Sequence, residues 1–263
     1  MYRSILKTGV GAIAAILLQV PGAAHAAGND PTALPVKPGE TIPVTVIPSG
    51  VFLRVANDPQ EILWDRIPEY QVQLMPAPFV HASTELRKDS VGAPIPLFFS
   101  IASDRERLYV KLRWVDATPD QELRSDHSRD GAAVQFALDP EAQTSHMMGS
   151  PELPVNIWYW HADSDQAENL GAGGFGSATT LESQPVSARS YYQRARLDDD
   201  NQWILVMSRP LDVDAAHTAE FAPGVVQPLA FAVWEGATGQ RDGLKRTTPG
   251  WIKVDLGPLL KEG

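Results

Sequence analysis

The chain has 263 residues, with 22 basic against 32 acidic side chains and six histidines, a formal charge of −10. Such a balance makes nucleic acid and anionic membrane poor partners. The absence of cysteine excludes disulfides, thiolate-held zinc, cysteine-ligated iron–sulfur clusters and covalent haem attachment through CxxCH.

The first 26 residues read as a signal peptide. Arg3 and Lys7 form a positive start, residues 10–20 are apolar but short for a bilayer span, and Ala24-His25-Ala26 fits the small-x-small cleavage rule. No twin-arginine pair is present, so general secretory export to the periplasm is expected. Removing Arg3 and Lys7 leaves 20 basic against 32 acidic residues, a mature charge of −12. That charge serves solubility and would also attract a basic protein such as a small cytochrome c. Residues 27–43 open on an Ala-, Pro-, Gly- and Asn-rich stretch and are expected to be a flexible lead-in, with residues 44–263 forming one domain.

Along that domain the pattern is one of strands. Residues 44–47, 51–56, 70–75 and 95–103 are candidates; residues 107–115 then alternate clearly, Leu108, Val110, Leu112 and Trp114 against Tyr109, Lys111 and Arg113. Residues 132–138 follow. Residues 155–160 are apolar or aromatic on both faces except at Asn156, as in a strand covered on both sides. Residues 188–196, 202–208 (Trp203, Leu205 and Met207 on one side), 229–234 and 251–256 complete the set. Few windows keep a helical period, and 22 prolines oppose long helices. The expected fold is all-β, an antiparallel β-sandwich like an immunoglobulin domain or a carbohydrate-binding module. Long connections at 77–94, 140–154 and 162–184 are expected to build a site at one end of it.

The chain contains neither a GxSxG elbow nor an HExxH pair, and no carboxylate pair is singled out by its setting. Asp198-Asp199-Asp200-Asn201 lacks the spacing of an EF-hand and reads as a turn. His127, His146 and His161 are scattered, without an i, i+4 pair. More unusual is His146-Met147-Met148-Gly149-Ser150, a polar loop holding two methionines, just before the aromatic run Trp158-Tyr159-Trp160. A loop methionine can simply plug the end of a sandwich, and Lys245, in Arg241-Asp242-Gly243-Leu244-Lys245-Arg246, can be an ordinary solvated lysine.

Five segments in order resemble the haem b (γ) subunits of the type II dimethyl sulfoxide reductase family, those of ethylbenzene dehydrogenase, dimethyl sulfide dehydrogenase, selenate reductase and chlorate reductase. They are Trp64-Asp65; Trp114-Val115-Asp116 (W-x-D); Asp130 to Phe136 (D-x-x-x-V-x-F); Met148-Gly149 with Pro154 to Trp160; and Trp234-Glu235-Gly236 with Lys245. The resemblance implies a β-sandwich with one noncovalent haem b held between a methionine and a lysine. By position these are Met148 and Lys245, with Met147 as rival to Met148, while Trp158, Trp160 and Trp234 are candidates to wall the pocket or to be ordinary core. It further implies a non-catalytic electron-transfer subunit, docked on an iron–sulfur β subunit that serves a molybdopterin α subunit, with a periplasmic cytochrome c as external partner. A lysine can ligate iron only as the neutral amine, a form that burial favours. Methionine sulfur raises the reduction potential, and two protein ligands leave no open coordination position. The alternative from the residues is a secreted carbohydrate-binding sandwich that uses exposed tryptophans and carries no haem.

Overall fold

The computed structural model describes residues 32–47, 57–125, 127–196 and 200–260. The expected signal peptide at 1–26, the predicted strand at 51–56 and the first two residues of the predicted turn at 198–201 lie outside them. The strands are β1 (Leu34–Pro35), β2 (Thr41–Pro43), β3 (Thr45–Val46), β4 (Tyr70–Pro76), β5 (Ile95–Ser103), β6 (Arg107–Val115), β7 (Gly131–Ala137), β8 (Val155–His161), β9 (Ala167–Ala172), β10 (Thr179–Thr180), β11 (Ser187–Gln193), β12 (Gln202–Pro210), β13 (Val226–Trp234), β14 (Arg246–Thr247) and β15 (Ile252–Asp255). One α-helical turn, α1 (Ala82–Glu85), lies between β4 and β5. Among the described residues no helix is long and apolar enough to cross a membrane.

The strands form one continuous sheet curled into two facing layers. One layer runs β4-β5-β6-β12-β11 and the other β10-β9-β8-β7-β13, and the short β14 pairs with both β13 and β4 to join them. The long pairings are antiparallel, as expected; β1, β2 and β3 pair in parallel with β4, β15 and β5. Residues 34–35 and 41–43, within the expected flexible lead-in, are therefore tied into the sheet: Leu34 aligns with Tyr70 and Thr41 with Lys253. Their apolar content is too low to announce strands, and they are held by ladder hydrogen bonds to edges already in place.

The period-2 alternation decides what each strand buries. Leu108, Val110, Leu112 and Trp114 on β6, Trp203, Leu205 and Met207 on β12, and Leu229, Phe231 and Val233 on β13 point into one core between the layers. Across it Phe99 meets Phe231 at 4.7 Å between ring centroids, and Trp160 meets Trp203 at 5.2 Å. Tyr109 and Val206 face the opposite side and pack with Trp64 in a second cluster.

One expected connection, 162–184, contains two strands, β9 and β10. Their apolar signal is weak because β9 is anchored by polar side chains. Buried Asn169 accepts a hydrogen bond from Asn156 Nδ2 at 2.7 Å, and its own amide donates to the carbonyl of Ser183 at 2.9 Å. A buried amide with its partners supplied is tolerated in a core.

Candidate functional site

The cavity that contains Met147, Met148, Trp234 and Lys245 lies on the outer face of the β7-β8-β13 layer, and not at an end of the sandwich as expected. Its floor is the side of each strand turned away from the core: Ala133 and Gln135 on β7, Ile157 and Tyr159 on β8, Leu170 on β9, and Ala230, Ala232 and Trp234 on β13. Three alanines keep this floor low. The walls come from the segment carrying Ala77, Val80 and His81, the loop with His146, Met147 and Met148, the turn with Phe175 and Gly176, and the loop with Asp242, Gly243 and Lys245. The cavity volume is about 710 Å³, within the range of roughly 300–1,000 Å³ that small-molecule and cofactor sites occupy. The lining is mainly apolar, with Ser83, Thr84, Gln135 and Thr247 adding polar groups beside His81, His146, Asp242 and Lys245.

Met148 and Lys245, 97 positions apart in sequence, meet here. Lys245 Nζ lies 3.9 Å from Met148 Sδ and 4.9 Å from the centre of the Trp234 ring. The methionine is aimed by an unusual turn. Met148 and Gly149 both adopt left-handed φ, 67° and 69°, a region that costs a non-glycine residue free energy. The turn is fastened by hydrogen bonds from Gly149 N–H to the Ser145 carbonyl (3.0 Å), from Ser150 N–H to the Leu153 carbonyl (3.0 Å) and from Gly174 N–H to the Met148 carbonyl (2.7 Å). A Cβ on Gly149 would stand 2.6 Å from the Leu153 oxygen, so this position accepts only glycine without rearrangement. Gln135 Nε2, projecting from the floor, donates to the His146 carbonyl at 2.9 Å and holds the loop down.

Lys245 sits just ahead of β14, and its carbonyl accepts from Ala77 N–H at 2.9 Å, which fixes the backbone against the 77–94 segment. Burial among apolar walls pulls its amine down to about 8, opposed by the nearby Asp242 carboxylate. Trp234 faces Tyr159 edge to face at 5.3 Å, and its indole N–H donates to the Asp242 carbonyl at 3.1 Å. The aromatic wall is thereby fixed in place on two sides.

Met147 also lines the cavity, with its backbone N–H on Ser145 Oγ at 3.2 Å. Of the three candidate tryptophans only Trp234 lines the cavity. Trp158 and Trp160 belong to the core between the layers, against Phe136 at 4.8 Å and Trp203 at 5.2 Å. The cause is strand parity: Ile157 and Tyr159, the odd-numbered neighbours, take the outer face. The signal for those two was present in the alternation, once the face of Trp158 is known. Of the candidate histidines, His146 lines the cavity, and burial lowers its pKa. His161 lies instead between Asp163 and Glu168, and His127 stands 3.9 Å from Asp120. His81, which sequence reasoning passed over, lines the cavity and caps α1 through Nδ1, which accepts from Ser83 N–H at 3.2 Å. None of the seven tryptophans is exposed, which removes the surface that the carbohydrate-binding alternative relied on.

No family model matches the sequence. Among solved structures, a family 9 carbohydrate-binding module from Caldicellulosiruptor kristjanssonii in complex with glucose is 10% identical, at a TM-score of 0.46 over 82% of this chain and 95% of that one. The cytochrome domain of Myriococcum thermophilum cellobiose dehydrogenase is 9% identical, at a TM-score of 0.30 over 72% of this chain and 84% of that one. Sequence similarity reaches much further. The dimethylsulfide dehydrogenase subunit gamma of Rhodovulum sulfidophilum is 46% identical over 85% of this chain and 84% of its own length. A putative respiratory nitrate reductase heme subunit of Haloferax mediterranei is 34% identical over 87% of this chain and 77% of its own. The chlorate reductase subunit gamma of Ideonella dechloratans is 34% identical over 76% and 79%. With identity of this order spread over most of both partners, the chain belongs to the family of γ, or haem, subunits of the type II dimethyl sulfoxide reductase enzymes.

Proposed function

We propose that this chain is the electron-transfer subunit of a periplasmic molybdenum oxidoreductase and holds one noncovalent haem b between Met148 Sδ and Lys245 Nζ. The observation that carries the reading is the approach of these two donors to 3.9 Å inside an apolar cavity. A thioether sulfur and an amine nitrogen brought together in one cavity are the two side chains that would hold the haem iron. The donor types agree as well: a neutral amine and a soft thioether suit iron in a redox role.

The haem would supply a one-electron carrier. The chain's own residues do the rest. Burial lowers Lys245 to about 8, so its amine would give up a proton to the iron more readily than a free lysine would. The Met148-Gly149 turn aims the sulfur, Trp234 and Tyr159 wall the site, and the low alanine floor leaves room for a flat ligand. With both donors supplied by side chains, no position is left for substrate, which accords with a non-catalytic subunit. In this reading electrons pass between an iron–sulfur β subunit serving a molybdopterin α subunit and a basic periplasmic cytochrome c.

The test is spectroscopic. Haem-loaded protein should be six-coordinate and low-spin, and acid–acetone should extract all the colour. Met148→Ala and Lys245→Ala should each alter the electron paramagnetic resonance or magnetic circular dichroism signature of the ligand pair, while Met147→Ala should leave it unchanged. Lys245→Arg should fail like the alanine, because a guanidinium offers no lone pair. Loss of the sulfur signature in Met147→Ala alone would move the ligand by one residue. An unchanged spectrum in all the variants would refute the methionine–lysine pair.

A further inference from the structure

Three of the acidic residues in the family-resembling segments play no part in the cavity, and they converge elsewhere. Asp116 follows the end of β6, Asp130 precedes β7 and Glu235 follows β13; Asp120, from the connection between β6 and β7, joins them. One carboxylate oxygen from each of the four lies within 4.8 Å of the other three. Asp130 is fully buried, and its oxygens accept from Gly236 N–H (2.8 Å), Asp120 N–H (2.7 Å) and the Trp203 indole (3.0 Å). Asp116 is 2% exposed. Its Oδ1 accepts from Thr118 N–H at 3.1 Å, but its Oδ2 has no donor among the described residues. The cations facing the group are Arg246, which acts on Glu235 and Asp116 while its Nε donates to the Ala93 carbonyl, and His127, 3.9 Å from Asp120. Four carboxyls thus face two cationic neighbours, and burial together with their mutual repulsion raises Asp116 to about 8 and Asp130 to about 7, so the empty cluster retains protons that a cation would displace.

We propose that Asp116, Asp120, Asp130 and Glu235 form a binding site for one divalent cation of the calcium class. Calcium takes oxygen ligands at about 2.3–2.6 Å, so ligands on its opposite sides stand up to about 5 Å apart; magnesium, at about 2.0–2.1 Å, would require a tighter set, near 4 Å. The four oxygens all lie within 4.8 Å of one another, inside the reach of the larger ion, which would also supply the missing partner of Asp116 Oδ2. The ion would bind the exit of β6, the entry of β7 and the exit of β13 into one knot. Gly236 is already packed there so closely that a Cβ would meet the Ser128 carbonyl oxygen at 2.5 Å and Asp120 Cβ at 2.7 Å. Glu235 directly follows Trp234, so the cation would brace the strand end that places the aromatic wall of the cavity. None of the four carboxylates lines the cavity that holds Met148 and Lys245.

The experiment uses the full chain as purified, stripped with EGTA and then titrated with calcium chloride or magnesium chloride by calorimetry and thermal melting. One calcium per chain is expected, with a rise in Tm of roughly 5–10 °C at a hundredfold excess over Kd and a smaller rise with magnesium. Asp116→Asn should abolish both the binding heat and the rise; if that variant does not fold, Asp120→Asn, at a half-buried position, serves in its place. Absence of calcium binding up to millimolar concentration, or unchanged binding in a folded Asp116→Asn or Asp120→Asn protein, overturns the proposal. A stripped protein that ignores calcium but gains stability on Asp116→Asn also overturns it, and assigns the cluster to shared protons.

Discussion

Replacing Gly149 by alanine tests how the fold aims Met148. Gly149 has φ of 69°, and a Cβ there would lie 2.6 Å from the Leu153 oxygen. Left-handed backbone costs an L-residue about 1–2 kcal/mol. Relieving the contact must also shift the Leu153 carbonyl, which accepts the 3.0 Å hydrogen bond from Ser150; its net worth is about 1 kcal/mol. Gly149→Ala is therefore expected to cost about 2–3 kcal/mol. Gly176→Ala isolates the backbone part, since Gly176 has φ of 74° with nothing within 4 Å of an added Cβ; it should cost about 1–2 kcal/mol. Urea unfolding of both apoproteins, with equal slopes, gives the difference directly. In the haem-loaded protein Gly149→Ala should also perturb the sulfur-ligand signature. Equal costs for the two variants, within about 0.5 kcal/mol, together with an unchanged spectrum, would refute the claim that this contact sets the methionine.

Two further outcomes are expected. Lys245 in the folded apoprotein titrates near 8, below the 10.5 of a free lysine, so the unfolded chain binds more protons between those values. Apoprotein stability should rise as pH increases from about 8 to 10.5, and Lys245→Met should remove that rise; identical pH profiles in urea unfolding would contradict it. Trp158→Ala should cost about 3–5 kcal/mol, as for a fully buried aromatic, and leave the haem spectrum of the folded protein unaltered, whereas Trp234→Ala should change that spectrum, as absorption spectroscopy on the two variants can decide.

What the sequence by itself determined is whatever depends on local period and chemistry. Alternation along residues 107–115 stated the strand and divided its apolar face from its polar one, and residues 229–234 read as a strand, because the two faces of a half-covered sheet strand meet different solvents. The doubled methionine, the following glycine and Lys245 stood out by residue type, and their place in a resembling family supplied the pairing. Tertiary structure decided what local pattern leaves open. Residues 155–160 are apolar on both faces, so parity alone could not say that Trp158 and Trp160 enter the core while Ile157 and Tyr159 floor the cavity; that follows from the register of β8 against β7 and β9. β9 was invisible because its buried face is hydrogen-bonded asparagine in place of apolar side chains. The meeting of Met148 with Lys245, and of Asp116, Asp120 and Asp130 with Glu235, joins residues about 100 positions apart. Those distances are fixed by the curl of the sheet and the packing of its loops, and no periodicity in the chain encodes them.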